Sequence, residues 1–205
     1  MSTYNAFYVR KQAADDVTRA AIVSLYPKAS IETSADFVGA VLSRDDVKPP
    51  EQRLAELSAK LGTDVIWVTF QTTAESFIFH HWRAGTQLRV LWYGCAHEGT
   101  WERVEGEAEP WERDTFWDEE SLECLLECAE TDSERERLQR LWKGGVLVKG
   151  QTEPTVSSED AVQDVMAHYG LYADEETQQS QPPASSAASS PTPPQSGFWS
   201  RLFGG

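Results

Sequence analysis

The sequence has few cysteines and lacks any long apolar run. Three cysteines are an odd number, which does not make a disulfide framework. The longest apolar runs, such as VIWVTF at 65–70, are far too short to span a bilayer. The start, MSTYNAFYVRK, has no apolar stretch behind a basic region, so no secretory signal is predicted. These absences predict a cytoplasmic protein without a transmembrane segment.

Positive charge is also scarce. The chain has 18 Lys and Arg against 33 Asp and Glu, a net charge of −15. Residues from Asp174 onward account for −2 of this, so residues 1–173 carry −13. Such a field repels phosphate backbones and anionic lipids. We therefore predict no nucleic-acid binding and do not favour peripheral membrane contact, whereas an acidic surface that binds a basic protein partner stays open.

The common catalytic motifs are absent from the sequence. It contains no glycine-rich phosphate loop, no G-x-S-x-G and no H-E-x-x-H. The sequence therefore predicts no catalytic residue, metal or cofactor, and a protein that is not an enzyme is favoured.

Composition divides the chain into three parts. Residues 1–173 are acidic and contain enough apolar residues to form a folded core, and we treat them as one α+β domain. Residues 174–196 hold five of the ten prolines together with Ser, Gln and Ala, which predicts a disordered linker. Residues 197–205 are rich in large apolar side chains again, which predicts a hydrophobic docking peptide.

Hydrophobic periodicity predicts a mixed or mainly antiparallel sheet with helices largely on one face. Predicted strands cover 4–11, 30–43 (one or two strands), 64–71 and 86–96, an edge strand within 99–112 and a short strand at 146–150. Predicted helices cover 13–26, 49–61, 72–84, 118–130, 133–143 and 157–169.

The densest group of functional residue types is SFIFHHWRAG at 76–85. On the predicted helix His80 and His81 point about 100° apart, so one metal cannot bind both from that helix alone. Cys95 and His97 are two apart on a predicted strand and share a face. An alternative function is therefore an enzyme or zinc-binding protein that uses His80, His81, Cys95 and His97.

A second group is the acidic stretch from Glu98 to Glu136, which holds 16 of the 33 acidic residues. It contains WER twice, at 101–103 and 111–113, and Trp117. These tryptophans could be aromatic anchors for a partner. We favour a hairpin with the rings on the core face and the glutamates in water. Cys124 and Cys128, at i and i+4 of a predicted helix, are expected to be small buried groups.

The C-terminal peptide carries the functional prediction. If residues 197–205 became helical, Phe198 and Leu202 would stack at i and i+4, as would Trp199 and Phe203. Arg201 would remain as a polar orienting contact. So short a helix does not form alone in water, so this apolar stripe would form only on contact. We predict a non-catalytic adaptor whose partner-binding residues, Phe198, Trp199, Arg201, Leu202 and Phe203, dock in a hydrophobic groove of another protein.

Overall fold

A computed structural model describes residues 3–12, 15–42 and 51–172 of the chain. The predicted linker 174–196, the docking peptide 197–205, the end of the strand predicted at 30–43 and the start of the helix predicted at 49–61 lie outside these ranges. The described strands are β1 (Thr3–Arg10), β2 (Ser30–Thr33), β3 (Phe37–Val41), β4 (Asp64–Gln71), β5 (Ser76–Arg83), β6 (Thr86–Tyr93) and β7 (Trp101–Gly106). The described helices are α1 (Asp15–Leu25), α2 (Glu51–Leu61), α3 (Pro110–Phe116), α4 (Glu119–Cys128), α5 (Asp132–Gly144) and α6 (Ser158–Tyr169).

The seven strands form one sheet in the order β2-β3-β1-β4-β5-β6-β7, and each pair of neighbours is antiparallel. Helices α1 and α2 cover one face through Ile22, Leu54 and Leu57. Helices α3 to α6 cover the other face. The predicted α+β fold with a mainly antiparallel sheet is confirmed, and four of the six described helices lie on one face.

The helix predicted at 72–84 is wrong, because residues 76–83 form strand β5. Both faces of this strand are buried, so Phe77 and Phe79 point to one core and Ile78 and Trp82 to the other. Six consecutive residues of β5 are buried, so the strand shows no alternation of buried and exposed positions. Such a run also satisfies helical spacing by coincidence. Pairing with β4 and β6 decides the conformation.

Glycine is required at two bends of this part of the sheet. Ala84 and Gly85 join β5 to β6 with φ of 48° and 83°, the left-handed pair of a two-residue hairpin turn. Gly106 ends β7 at φ 83°, and a Cβ there would lie 1.8 Å from the Leu88 carbonyl oxygen. A side chain at 106 would therefore separate β7 from β6.

The strand predicted at 146–150 is also wrong. Val146 and Val148 are more than half exposed, and Leu147 alone of the three points into the core. Its end hydrogen-bonds to the sheet: the Gly150 amide donates to the Trp101 carbonyl, and the Trp101 amide donates to the Gln151 carbonyl. This loop therefore covers the start of edge strand β7. Among the described residues no helix is long and apolar enough to cross a membrane.

Candidate functional site

His80 and His81 are adjacent on β5, and strand geometry sends them to opposite faces of the sheet. His80 lies opposite Trp67 and Val90 on the neighbouring strands, on the face covered by α1 and α2. His81 lies on the face covered by α3 to α6. The structure therefore does not bring the two rings together, and each occupies a site of its own.

The His80 ring is fully buried among tryptophans. Its centroid lies 4.9 Å from the ring of Trp67 and 4.9 Å from that of Trp82. Trp92 Nε1 donates to His80 Nε2 at 2.8 Å, which assigns the proton of a neutral ring to Nδ1. Burial, and second the charge of Arg103, lower the pKa of His80 to about 3. His80 is therefore neutral at physiological pH.

Glu51, at the start of α2, lies near His80 but is paired elsewhere. Its Oε2 is 3.9 Å from His80 Nδ1, too far for a hydrogen bond. Arg103 Nη1 donates to both Glu51 oxygens at 3.0 and 2.9 Å, and its guanidinium lies over the Trp92 ring. Within the described residues His80 Nδ1 has no hydrogen-bond partner. Trp67, Trp82 and Trp92 therefore form an aromatic box, which holds His80 by packing and by the hydrogen bond from Trp92.

His81 lies instead between two carboxylates. Its Nδ1 is 2.6 Å from Glu109 Oε1, and its Nε2 is 3.2 Å from Asp64 Oδ1. The ring is only 4% exposed. An ionised carboxylate only accepts a hydrogen bond, so a ring N–H is the donor in each contact. We call His81, Asp64, Glu109 and Tyr169 the ionic cluster.

Glu109 ties the ionic cluster to two helices. It precedes α3, and its Oε2 accepts hydrogen bonds from Trp111 Nε1 at 2.9 Å and from the Tyr169 hydroxyl of α6. Burial acts to raise the pKa of Glu109, but the hydrogen bonds from His81 and Tyr169 outweigh it, so the pKa lies below its usual value. Burial, together with the nearby Glu109 charge, raises the pKa of Tyr169. Glu109 is therefore an anion and Tyr169 its neutral donor.

Asp64 joins the ionic cluster to two arginines. Arg83 Nε donates to Oδ1 at 2.7 Å and Arg10 Nε donates to Oδ2 at 2.8 Å. Burial acts to raise the pKa of Asp64, but the hydrogen bonds from Arg83, His81 and Arg10 lower it overall. Both oxygens of Asp64 therefore accept a hydrogen bond from a guanidinium group.

A buried ion pair supports the same face. Arg89 donates from Nε and Nη2 to the two oxygens of Glu112 at 2.8 and 2.6 Å, and both side chains are only 3% exposed. Glu112 also accepts from the Glu109 amide at 2.8 Å, which fixes the first turn of α3. Burial raises the pKa of Glu112, and Arg89 opposes that rise. The pair therefore positions Glu109 for the ionic cluster.

Cys95 and His97 lie apart from both histidines. They follow β6 in an exposed loop, next to the Phe77 end of β5, whose carbonyl lies 3.9 Å from Cys95 Sγ. His80 is three residues further along β5, about 10 Å away. His97 is mostly exposed and pairs with Glu102 at 3.6 Å. Across the described ranges no group of three or more His, Cys, Asp or Glu side chains could hold a metal ion.

The acidic stretch has its tryptophan rings in the core, as predicted, but not as a hairpin. Trp101, Trp111 and Trp117 are 4% exposed or less, so these rings pack in the core and are not displayed as anchors. Trp101 lies on β7 and Trp111 on α3, so a strand and a helix replace the predicted hairpin. The expected burial of Cys124 and Cys128 is wrong, because both are exposed on α4. Helix α4 buries none of its residues fully.

Apart from His81, the residues of the ionic cluster were not predicted from the sequence. One signal was available: Glu109-Pro110 with Glu112 three residues after Glu109 is a helix start of the capping-box type, which α3 confirms. Nothing in the local sequence connects Glu109 to His81 or to Tyr169. No protein-family model, curated protein or solved structure matches this chain.

Proposed function

We propose that this protein is a non-catalytic interaction protein of the cytoplasm, whose C-terminal peptide 197–205 docks in a hydrophobic groove of a partner protein. The observation that carries the proposal is the position of Phe198, Trp199, Leu202 and Phe203, four large apolar side chains behind a linker that contains none. Burying each contributes about 1.5–3 kcal/mol, reduced by the cost of ordering the peptide.

The arrangement of the tryptophans supports this proposal. The chain has eight, and seven precede residue 172. Six of those seven are 4% exposed or less, and Trp92 is covered in part by Arg103. The domain therefore encloses nearly all of its own tryptophans. Trp199 is the one that follows the domain in the sequence.

The pairing of the buried polar side chains also favours a binding role over a catalytic one. The carboxylates around His81 are held by arginine, tyrosine and tryptophan donors. His80 is enclosed by aromatic rings. The alternatives, an enzyme or zinc protein built on His80, His81, Cys95 and His97 and an acidic surface for a basic partner, stay predictions without a supporting contact.

The test compares baits that differ only in the peptide. The intact chain, the Trp199→Ala/Phe203→Ala chain and a matched Ser200→Ala chain are each used to capture proteins from an extract. We expect the same partner with the intact and Ser200→Ala chains and its loss with the double variant. The melting curve of the domain should be the same in all three. Equal capture by all three baits would contradict the proposal.

A further inference from the structure

Arg10, Asp64 and Arg83 lie in one row at one end of the sheet. Val9 pairs with Val65 and Asp64 pairs with Arg83, so the three residues are neighbours across β1, β4 and β5. Asp64 is buried, whereas the side chains of Arg10 and Arg83 are 42% and 61% exposed. A buried carboxylate therefore has an exposed guanidinium on each side.

Both guanidinium groups are held by their inner nitrogens. Each uses Nε to bond Asp64, and Arg10 also lies over the Phe37 ring, 4.8 Å from its centroid. The terminal nitrogens of both arginines make no hydrogen bond within the part of the chain that the structure describes. These exposed donors are thus fixed in direction before any ligand arrives, which reduces the entropy cost of binding.

The row carries a local excess of positive charge. Asp64 neutralises only one of the two arginines, so the three residues of the row together have a formal charge of +1. The chain as a whole has a net charge of −15. A positive spot on so acidic a protein selects for a small anion over an extended polyanion, which the remaining charge repels.

We propose that the terminal nitrogens of Arg10 and Arg83 bind an oxyanion, the carboxylate or phosphate group of a small ligand. The planar guanidinium fork suits two-point hydrogen bonding to such groups. Asp64 is the positioning residue, since it orients both arginines and does not touch the anion. The site is independent of the docking peptide proposed above.

One carboxylate source belongs to the chain itself. Asp174, Glu175 and Glu176 follow the last described residue, Tyr172, closely in the sequence. These side chains offer the same chemistry as a free ligand. The experiment therefore needs one arm for the arginines and another for this acidic segment.

The first arm titrates the full chain with inorganic phosphate by calorimetry. Losing one charge-assisted donor pair costs about 1.5–3 kcal/mol, so Arg10→Gln and Arg83→Gln should each weaken binding about tenfold or more. Arg83→Lys keeps the charge without the fork and should show a smaller loss. Arg137→Gln is the matched control, because Arg137 is another half-exposed arginine, paired with Glu153 at 2.9 Å, and its loss should change affinity less than twofold.

The second arm identifies the source of the anion. If the acidic segment occupies the arginines, neutralising it in Asp174→Asn/Glu175→Gln/Glu176→Gln should strengthen phosphate binding, whereas unchanged affinity indicates a separate ligand. Either result supports the site. The proposal fails if phosphate binds neither the wild type nor the neutralised chain, or if Arg83→Lys and Arg83→Gln bind as tightly as the Arg137→Gln control.

Discussion

Each face of the sheet buries one histidine of β5, and the two rings are stabilised by different interactions. On the face under α1 and α2, His80 is neutral and is held by the tryptophans around it. On the face under α3 to α6, His81 is held by two carboxylates. The next residue along a strand points to the opposite face, so the groups that surround its side chain are different. The environment of each face, and not the residue type, therefore sets the role of a histidine here.

We call the face under α3 to α6 the ionic face. The largest effect is expected from breaking its buried ion pair, Arg89 with Glu112. Glu112→Gln leaves Arg89 as a buried charge without its counterion, so we expect a loss of about 3–5 kcal/mol in the free energy of unfolding. Urea unfolding measures it. Arg140→Gln, which removes an exposed i,i+4 pair with Glu136, should cost less than about 0.5 kcal/mol.

The same pair allows a second measurement. In Arg89→Met/Glu112→Leu both charges are gone, and much of the lost stability should return because no buried charge is left without a partner. A double variant as unstable as Glu112→Gln would show that the hydrogen bonds to the Glu109 amide and the Gly106 carbonyl matter more than the charges.

A direct contrast between the faces comes from replacing each histidine with phenylalanine. His81→Phe removes hydrogen bonds to two buried carboxylates and should cost about 3 kcal/mol. His80→Phe keeps a flat ring between Trp67 and Trp82, and the Trp92 N–H that loses its acceptor is only partly buried. We expect that change to cost about 1 kcal/mol. Urea unfolding of both variants at pH 7 measures the difference, and equal losses would remove the distinction between the faces.

Hydrophobic periodicity predicted an element correctly where one side of that element faces solvent. Helix α2 was predicted from Leu54, Leu57 and Leu61, because most of its other positions are at least partly exposed and the apolar spacing is clear. Strand β5 could not be predicted in this way, because six consecutive positions are buried and no alternation of buried and exposed residues marks a strand. Only pairing with β4 and β6, a tertiary contact, distinguishes the strand from a helix of the same composition.

The ionic cluster was beyond sequence reasoning for a related reason. Its members come from β4, β5, the residue before α3, and α6, and Tyr169 lies 88 residues from His81 in the chain. Each member is an ordinary polar residue in its own segment. The fold alone makes them neighbours, so a histidine could be nominated but its partners could not. The adjacent His80 gave the same local signal and has a different role.

The pH dependence of the free energy of unfolding tests whether His80 is neutral in the folded protein. The pKa of His80 is about 3 in the folded state against a usual 6.5, so below pH 6.5 the unfolded chain binds a proton that the folded chain does not. His80 therefore reduces stability as the pH falls, by about 2 kcal/mol between pH 7 and pH 5.

The carboxylates of the ionic face act at lower pH. The pKa values of Asp64 and Glu109 lie below their usual 3.8 and 4.5, so the stability that they contribute is present above those values and is lost as the pH falls through the lowered ones. Urea unfolding of the wild type and of His80→Phe at pH 7, 6 and 5 isolates the His80 contribution, because every other titrating group is common to both chains. The wild type should lose about 2 kcal/mol more than His80→Phe over that range. Parallel pH profiles would mean that His80 takes up its proton inside the fold, and the aromatic box would then hold a charge, as the ionic face does.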